Sequence, residues 1–167
     1  MDFKKLLLTT DLSFNADAAT PYAALLARKY GAKVILLHVL DDSAYYGGGG
    51  DFVFHPDEWL AEARQDLEQR LAERAARILE AEGIAVEPVL LAGNPARKII
   101  AYAEAERPDC IIMATHGRTG IPRFIFGSVA ERILRLSPCP VFTIRPPWKE
   151  QHAAGAVIAR EHEHSVL

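Results

Sequence analysis

The apolar positions of this chain follow two periods that alternate from one end to the other. KKLLLTT (residues 4–10), AKVILLHVL (32–40), IAVEPVLLAG (84–93), CIIMAT (110–115) and PVFTIR (140–145) are continuous apolar runs bounded by charge, glycine or proline. Runs of this kind mark strands buried on both faces. Between them the apolar residues recur at helical spacing. NADAATPYAALLARKYG (15–31) reads as one helix stopped by Gly31, and NPARKIIAYAEAERPD (94–109) opens on an Asn94 cap followed by Pro95. SVAERILRLS (128–137) is a further helix before the last strand. In PDEWLAEARQDLEQRLAERAARILEAEG (56–83), Trp59, Leu60, Ala63, Leu67, Leu71, Ile78 and Leu79 form one broad stripe, which predicts a long amphipathic helix covering a sheet.

Strand and helix alternating over five strands predict an α/β fold: one doubly wound, Rossmann-like domain with a mainly parallel sheet and helices on both faces. Pro88 offers no backbone donor, so the third strand is expected at a sheet edge. Four consecutive glycines at 47–50, flanked by Tyr45, Tyr46, Phe52 and Phe54, read as a mobile loop. No strong apolar period resumes after Arg145. Residues 1–146 are therefore expected to form the domain and 147–167 a flexible tail, in which His162 and His164 read as solvated side chains rather than metal ligands.

The chain has 167 residues, half of them apolar and a quarter charged, enough for a core without staples or metals. Its net charge of −3 argues against a nucleic-acid partner, which normally needs a basic face. Cys110 and Cys139 both lie in or beside apolar runs and read as buried thiols of a reducing compartment. No run has the length of a membrane span or of a signal-peptide core, so the expectation is a cytoplasmic protein with no membrane partner.

Ligands of open parallel sheets gather beyond the carboxyl ends of the strands, which singles out TTDLS, VLDD and ATHGRTG. Gly117, Gly120 and Gly127 let the backbone approach a ligand closely, and Gly127-Ser128 opens a helix whose free amides and positive dipole end favour an anion. Ser128 reads either as that helix's cap or as a donor to a phosphate oxygen. The alternative is that the glycines only make a bend. A Walker-type loop and the dinucleotide fingerprint are both absent. Gly117-Arg118-Thr119-Gly120 matches the clamp of a KH domain, but it follows a strand where that clamp joins two helices. His38 reads as a hydrogen-bonded core histidine, Asp41 and Asp42 as a surface turn, and Arg118 and Arg123 as phosphate contacts or solvated charge.

Strand four, then Ala114-x2-Gly117-x9-Gly127-Ser128-Val129, a helix and SPCPVFTIR resembles the nucleotide-binding signature of the universal stress protein family, over residues 3–145. The resemblance implies a five-stranded parallel sheet in the order 3-2-1-4-5, pairing into a homodimer through strand five, and bound ATP, or ADP or AMP, with or without Mg²⁺. By position it implies that Thr9, Thr10 and Asp11 meet adenine and ribose, and that the Val39 main chain reads the adenine edge. Met113, Ala114, His116 and Gly117 would form one wall of the phosphate site, and Gly127, Ser128 and Val129 the other. Ala114 stands where the motif has its first glycine; its methyl either crowds a phosphate or, with φ negative, is accommodated. The function so implied is a nucleotide-dependent regulator in the stress response. A slow ATPase or adenylating enzyme and a nucleotide-free dimeric scaffold are the alternatives, and no catalytic residue is assigned.

Overall fold

A computed structural model describes residues 2–42, 56–115 and 127–145. In chain order the elements are β1 (Lys5–Thr9), α1 (Phe14–Asp17), α2 (Thr20–Tyr30), β2 (Lys33–Leu40), α3 (Pro56–Glu82), β3 (Val86–Ala92), α4 (Pro95–Glu106), β4 (Cys110–Ala114), α5 (Ser128–Leu136) and β5 (Val141–Ile144). The five strands form one sheet in the order β3-β2-β1-β4-β5, every neighbouring pair parallel.

The apolar runs are continuous because each strand feeds two cores. Leu6, Leu8, Val34, Leu36, Cys110 and Ile112 pack against Ala23, Ala24 and Ala27 of α2 and Leu71 and Ile78 of α3. Their neighbours Leu7, Ile35, Leu37, Ile111 and Met113 meet Ile99 and Ala103 of α4 and Ala130 and Ile133 of α5 on the other face. Each fully buried Leu or Ile contributes about 1.5–3 kcal/mol. After β1 and β2 the chain thus crosses one face of the sheet, and after β3 and β4 the other. The direction changes between β1 and β4, where a crevice must open at the carboxyl edge.

Local signals explain most boundaries. Gly31 ends α2 with φ 64, its N–H returning to the Ala27 carbonyl. The Asn94 Oδ1 caps α4 by accepting from the Arg97 N–H at 3.2 Å. Pro88 does lie in an edge strand, paired only with β2. At the amino edge the Asp109 carboxylate accepts from the backbone N–H of Lys4 at 2.6 Å and of Lys5 at 2.8 Å, tying β4 to β1.

Three expectations are corrected. The helix expected over 15–31 is two helices, because Pro21 has no N–H to donate and its ring would collide with the Asp17 carbonyl one turn back; the chain restarts with Pro21 in the first turn of α2. Leu79 of the α3 stripe is 52% exposed, since it lies about 100° around the helix from buried Ile78. Cys110 is buried but Cys139 only half-buried, and both are free thiols. The glycine loop at 47–50, the Trp59 side chain and the tail at 147–167 lie outside the described residues.

Candidate functional site

The first wall of the crevice is the turn that leaves β1. Thr9 is buried, and the Thr10 N–H continues the sheet ladder to the Leu37 carbonyl at 2.9 Å. The chain then reverses through Leu12, a non-glycine residue with φ 62. Side chains hold this turn from within: Thr10 Oγ1 accepts from the Leu12 N–H at 3.0 Å, and Asp11 Oδ1 accepts from the Ser13 N–H at 3.0 Å and the Ser13 hydroxyl at 2.5 Å. Ser13 Oγ in turn caps α1 at Ala16. Two side chains hold it from outside. His38 Nδ1 lies 2.8 Å from the Thr10 carbonyl; a carbonyl only accepts, so Nδ1 carries the proton. Arg74 of α3 donates from Nη2 to the Leu12 carbonyl at 3.1 Å and pairs with Asp17. Burial, and then Arg77, lower the pKa of the Arg74 guanidinium from its usual value while Asp11 pulls it upward; an arginine remains charged under such shifts.

The second wall joins β4 to α5. The Thr115 N–H bonds the Ile144 carbonyl and the Gly127 N–H bonds the Thr115 carbonyl, both at 2.9 Å, so Thr115 and Gly127 lie side by side. Gly127 is the N-cap of α5, with φ −68 and ψ 157 and no side-chain cap. Ser128 is the first helical residue. Of the two readings of Ser128, the cap is thereby corrected: the N-cap position belongs to Gly127, one residue earlier. The first α-helical bond runs from Glu131 N–H to the Gly127 carbonyl, which leaves the N–H groups of Ser128, Val129 and Ala130 without an intrahelical partner.

A cavity of about 370 Å³ lies between the walls, lined by Thr9, Thr10, Asp11, Val39, Met113, Ala114, Gly127, Ser128 and Val129. Every described residue that the sequence singled out for the site is therefore brought together. His116, Gly117, Arg118 and Arg123 lie outside the described residues. Positive φ among the described non-glycine residues is confined to Leu12 and Arg107, so Ala114 keeps ordinary strand backbone and tolerates its methyl. Strand alternation gives that methyl the side of Cys110 and Ile112, away from α5.

The cavity also contains residues that sequence reasoning did not assign to it. Asp41 is exposed, as a surface turn predicts, and it also lines the cavity, because β2 runs to Leu40 and delivers the next residue to the crevice. His38 is buried as expected, and it is also part of the lining. Pro95 and Ile99 belong to it because the first turns of α4 sit at the same edge. The available signal was topological, since any helix following a strand of this sheet begins beside the crevice. The lining is polarised. Asp11 and Asp41 supply carboxylates on the β1 and β2 side, Val39, Ile99 and Met113 an apolar surface, and α5 the positive end of a helix dipole. Such a site suits a ligand with hydroxyl groups, a flat apolar body and an anionic end.

Comparison with known proteins agrees with this geometry. The family model of the universal stress protein family matches residues 2–145. A universal stress protein of Methanocaldococcus jannaschii, MJ0531, is 31% identical over 148 residues, covering 89% of this chain and 85% of that one. The solved structure of MJ0577 from the same organism superimposes with a TM-score of 0.72 at 28% identity, covering 88% of this chain and 99% of that one. The universal stress protein of Archaeoglobus fulgidus in complex with dAMP gives a TM-score of 0.57 at 26% identity, over 86% and 99% of the two chains.

Proposed function

The chain belongs to the universal stress protein family, and from that premise we propose that its crevice binds an adenine nucleotide, ATP or its ADP and AMP counterparts, whose occupancy serves as a regulatory signal. The observation that carries the reading is the polarity of the cavity: Asp11 at one end, and the uncapped amides of Ser128, Val129 and Ala130 at the other. A carboxylate accepts from ribose hydroxyls, and helix-terminal amides donate to an anion such as a phosphate. Between them the Val39 main chain meets the adenine edge, with Ile99 and Met113 against its face. Met113 and Ala114 are the described residues of the phosphate wall opposite Gly127, Ser128 and Val129, the wall to which the resemblance also assigns His116 and Gly117. The A. fulgidus protein, which shares this fold, is solved in complex with dAMP, which supports an adenine nucleotide as the ligand.

Binding rather than turnover is the proposed role. Among the described residues no group of three or more His, Cys, Asp or Glu is placed to hold a metal ion, so Mg²⁺ would arrive on the nucleotide's own phosphates. The switch works by differential affinity of two conformations or two partners for the occupied protein. Among the described residues no helix is long and apolar enough to cross a membrane, and a cytoplasmic protein is the reading adopted. A homodimer through β5 completes it: among the described residues β5 is an edge strand paired only with β4, and its Phe142 is exposed. Mass spectrometry of the small molecules released on denaturation, with titration calorimetry of the emptied protein, tests the proposal. An adenine nucleotide released or bound is expected. Protein that releases none and takes up none at millimolar concentration would overturn it.

A further inference from the structure

Asp11 stands between two peptide groups that are each held by a side chain from elsewhere in the fold. The Thr10 carbonyl before it is taken by His38 of β2, and the Leu12 carbonyl after it by Arg74 of α3. Leu12 is left-handed at φ 62, a conformation that an L-residue with a branched side chain keeps only where its surroundings enforce it. Arg74 is the group placed to enforce it. It reaches the turn across a sequence separation of 62 residues. Its side chain is only 11% exposed, and its second nitrogen pairs with Asp17 at the end of α1, so one planar fork fastens both ends of the segment from Leu12 to Asp17. Arg74 also sits within the buried stripe of α3, between Leu71 and Ile78, where packing alone would favour an apolar residue.

The geometry points to Arg74 as a positioning residue for the nucleotide: without touching the ligand, it holds the β1–α1 turn in the conformation that presents Thr10 and Asp11 to the cavity. The inference rests on the nucleotide reading above and assigns part of that affinity to a residue outside the cavity. Releasing the Leu12 carbonyl lets the turn relax from its left-handed conformation, and Asp11 then spends part of its time away from the ribose. The loss falls on the adenosine part of the ligand, so AMP, ADP and ATP should weaken by the same factor.

The test compares wild type, Arg74→Met and Arg74→Lys by calorimetry with AMP and ATP, and by amide hydrogen exchange. Arg74→Met keeps the stem and removes the donors. It should bind both nucleotides about tenfold more weakly, the size of one lost charge-assisted hydrogen bond, with faster exchange at Leu12 and Ser13 but unchanged exchange in β2 and α4. Arg74→Lys keeps the charge and one donor group, and should recover about half of the lost affinity on a logarithmic scale, leaving it about threefold weaker than wild type. A purely structural role would raise exchange throughout the domain and leave the affinity of the folded fraction unchanged. Arg74→Met that binds within twofold of wild type overturns the inference while leaving the nucleotide reading intact. Wild type that binds no adenine nucleotide overturns both. Should Arg74→Met fail to fold, Arg74→Lys decides: a threefold loss with loosened Leu12 and Ser13 amides supports the role, and wild-type affinity with wild-type exchange overturns it.

Discussion

Gly127→Asp separates an anion site from a mere bend, because one substitution should strengthen the fold and weaken the ligand. Gly127 already has the extended backbone of an N-cap, φ −68 and ψ 157, and a Cβ added there would lie 3.5 Å from the Thr115 carbonyl oxygen, an ordinary contact. The new carboxylate can therefore accept from the Val129 or Ala130 N–H without moving the chain. Capping and the dipole together should add about 0.5–1 kcal/mol, a rise of roughly 2–3 °C in Tm for a domain of this size. For a bound phosphate the same carboxylate is a competitor. It removes at least one charge-assisted hydrogen bond, about 1.5–3 kcal/mol, and places a like charge near 5 Å away, about 3 kcal/mol at an effective dielectric constant near 20. Counting only half of that sum gives a loss on the order of 100-fold for ATP. Calorimetry with adenosine, AMP and ATP, alongside thermal unfolding, reads both effects. Adenosine affinity should stay within about twofold, since it makes no phosphate contact, and Gly127→Ala should bind ATP close to wild type. ATP held as tightly by Gly127→Asp as by wild type, or adenosine weakened as much as ATP, would refute the placement of phosphates on α5.

Asp109 is held below the usual carboxylate range by the Lys5 N–H and then the Lys4 N–H. A depressed folded pKa gives stability that is complete above the ordinary carboxylate value and is lost as pH falls through the folded one. Asp109→Asn should thus cost about 1 kcal/mol at pH 7 and flatten the acid limb of stability, as measured by urea unfolding between pH 2 and 7. Burial pushes the Cys110 thiol up to about 11. At pH 8 a thiol reagent should therefore modify Cys139 alone in the native protein and both cysteines after denaturation; rapid loss of Cys110 would contradict its packing. Light scattering at micromolar concentration should report a dimer that Phe142→Lys converts to monomer, and a monomeric wild type would rule out pairing through β5.

Much of the fold was legible because the apolar runs and helical stripes coincide with elements whose faces are both buried. The strand order came from family resemblance, since periodicity says nothing about which parallel strands adjoin. The failures have local causes. Pro21 sits inside an alanine-rich pattern that masks the break it makes, and Leu79 adjoins a stripe that Ile78 already fills. In the site, residues carried by the motif were legible; those delivered by topology were not. Asp41 reads as surface and is exposed, and that it also lines the cavity follows only from the place of β2 beside β1 in the sheet. Arg74 left a faint trace as a cation inside an apolar stripe, and only the fold reveals that its partner is the turn after β1.

The division of labour between the walls has a consequence for which nucleotide is preferred. Among the described residues no lysine or arginine lines the cavity, and its two carboxylates lie on the adenosine side. The dipole end of α5 offers roughly half a positive charge, enough to favour one phosphate and far too little to neutralise three. On the proposed reading, base and sugar selectivity therefore reside in Val39, Asp11 and the turn that presents it. Each phosphate beyond the first must find its compensation elsewhere, in a cation carried by the nucleotide or in His116, Arg118 and Arg123 of the sequence that joins β4 to α5. Selectivity for adenosine and selectivity for chain length are then separable properties, carried by different stretches of sequence. On that reading, substitutions in 116–126 should change the ratio of ATP to AMP affinity while leaving adenosine affinity within about twofold, and titration of such variants with the three ligands tests it.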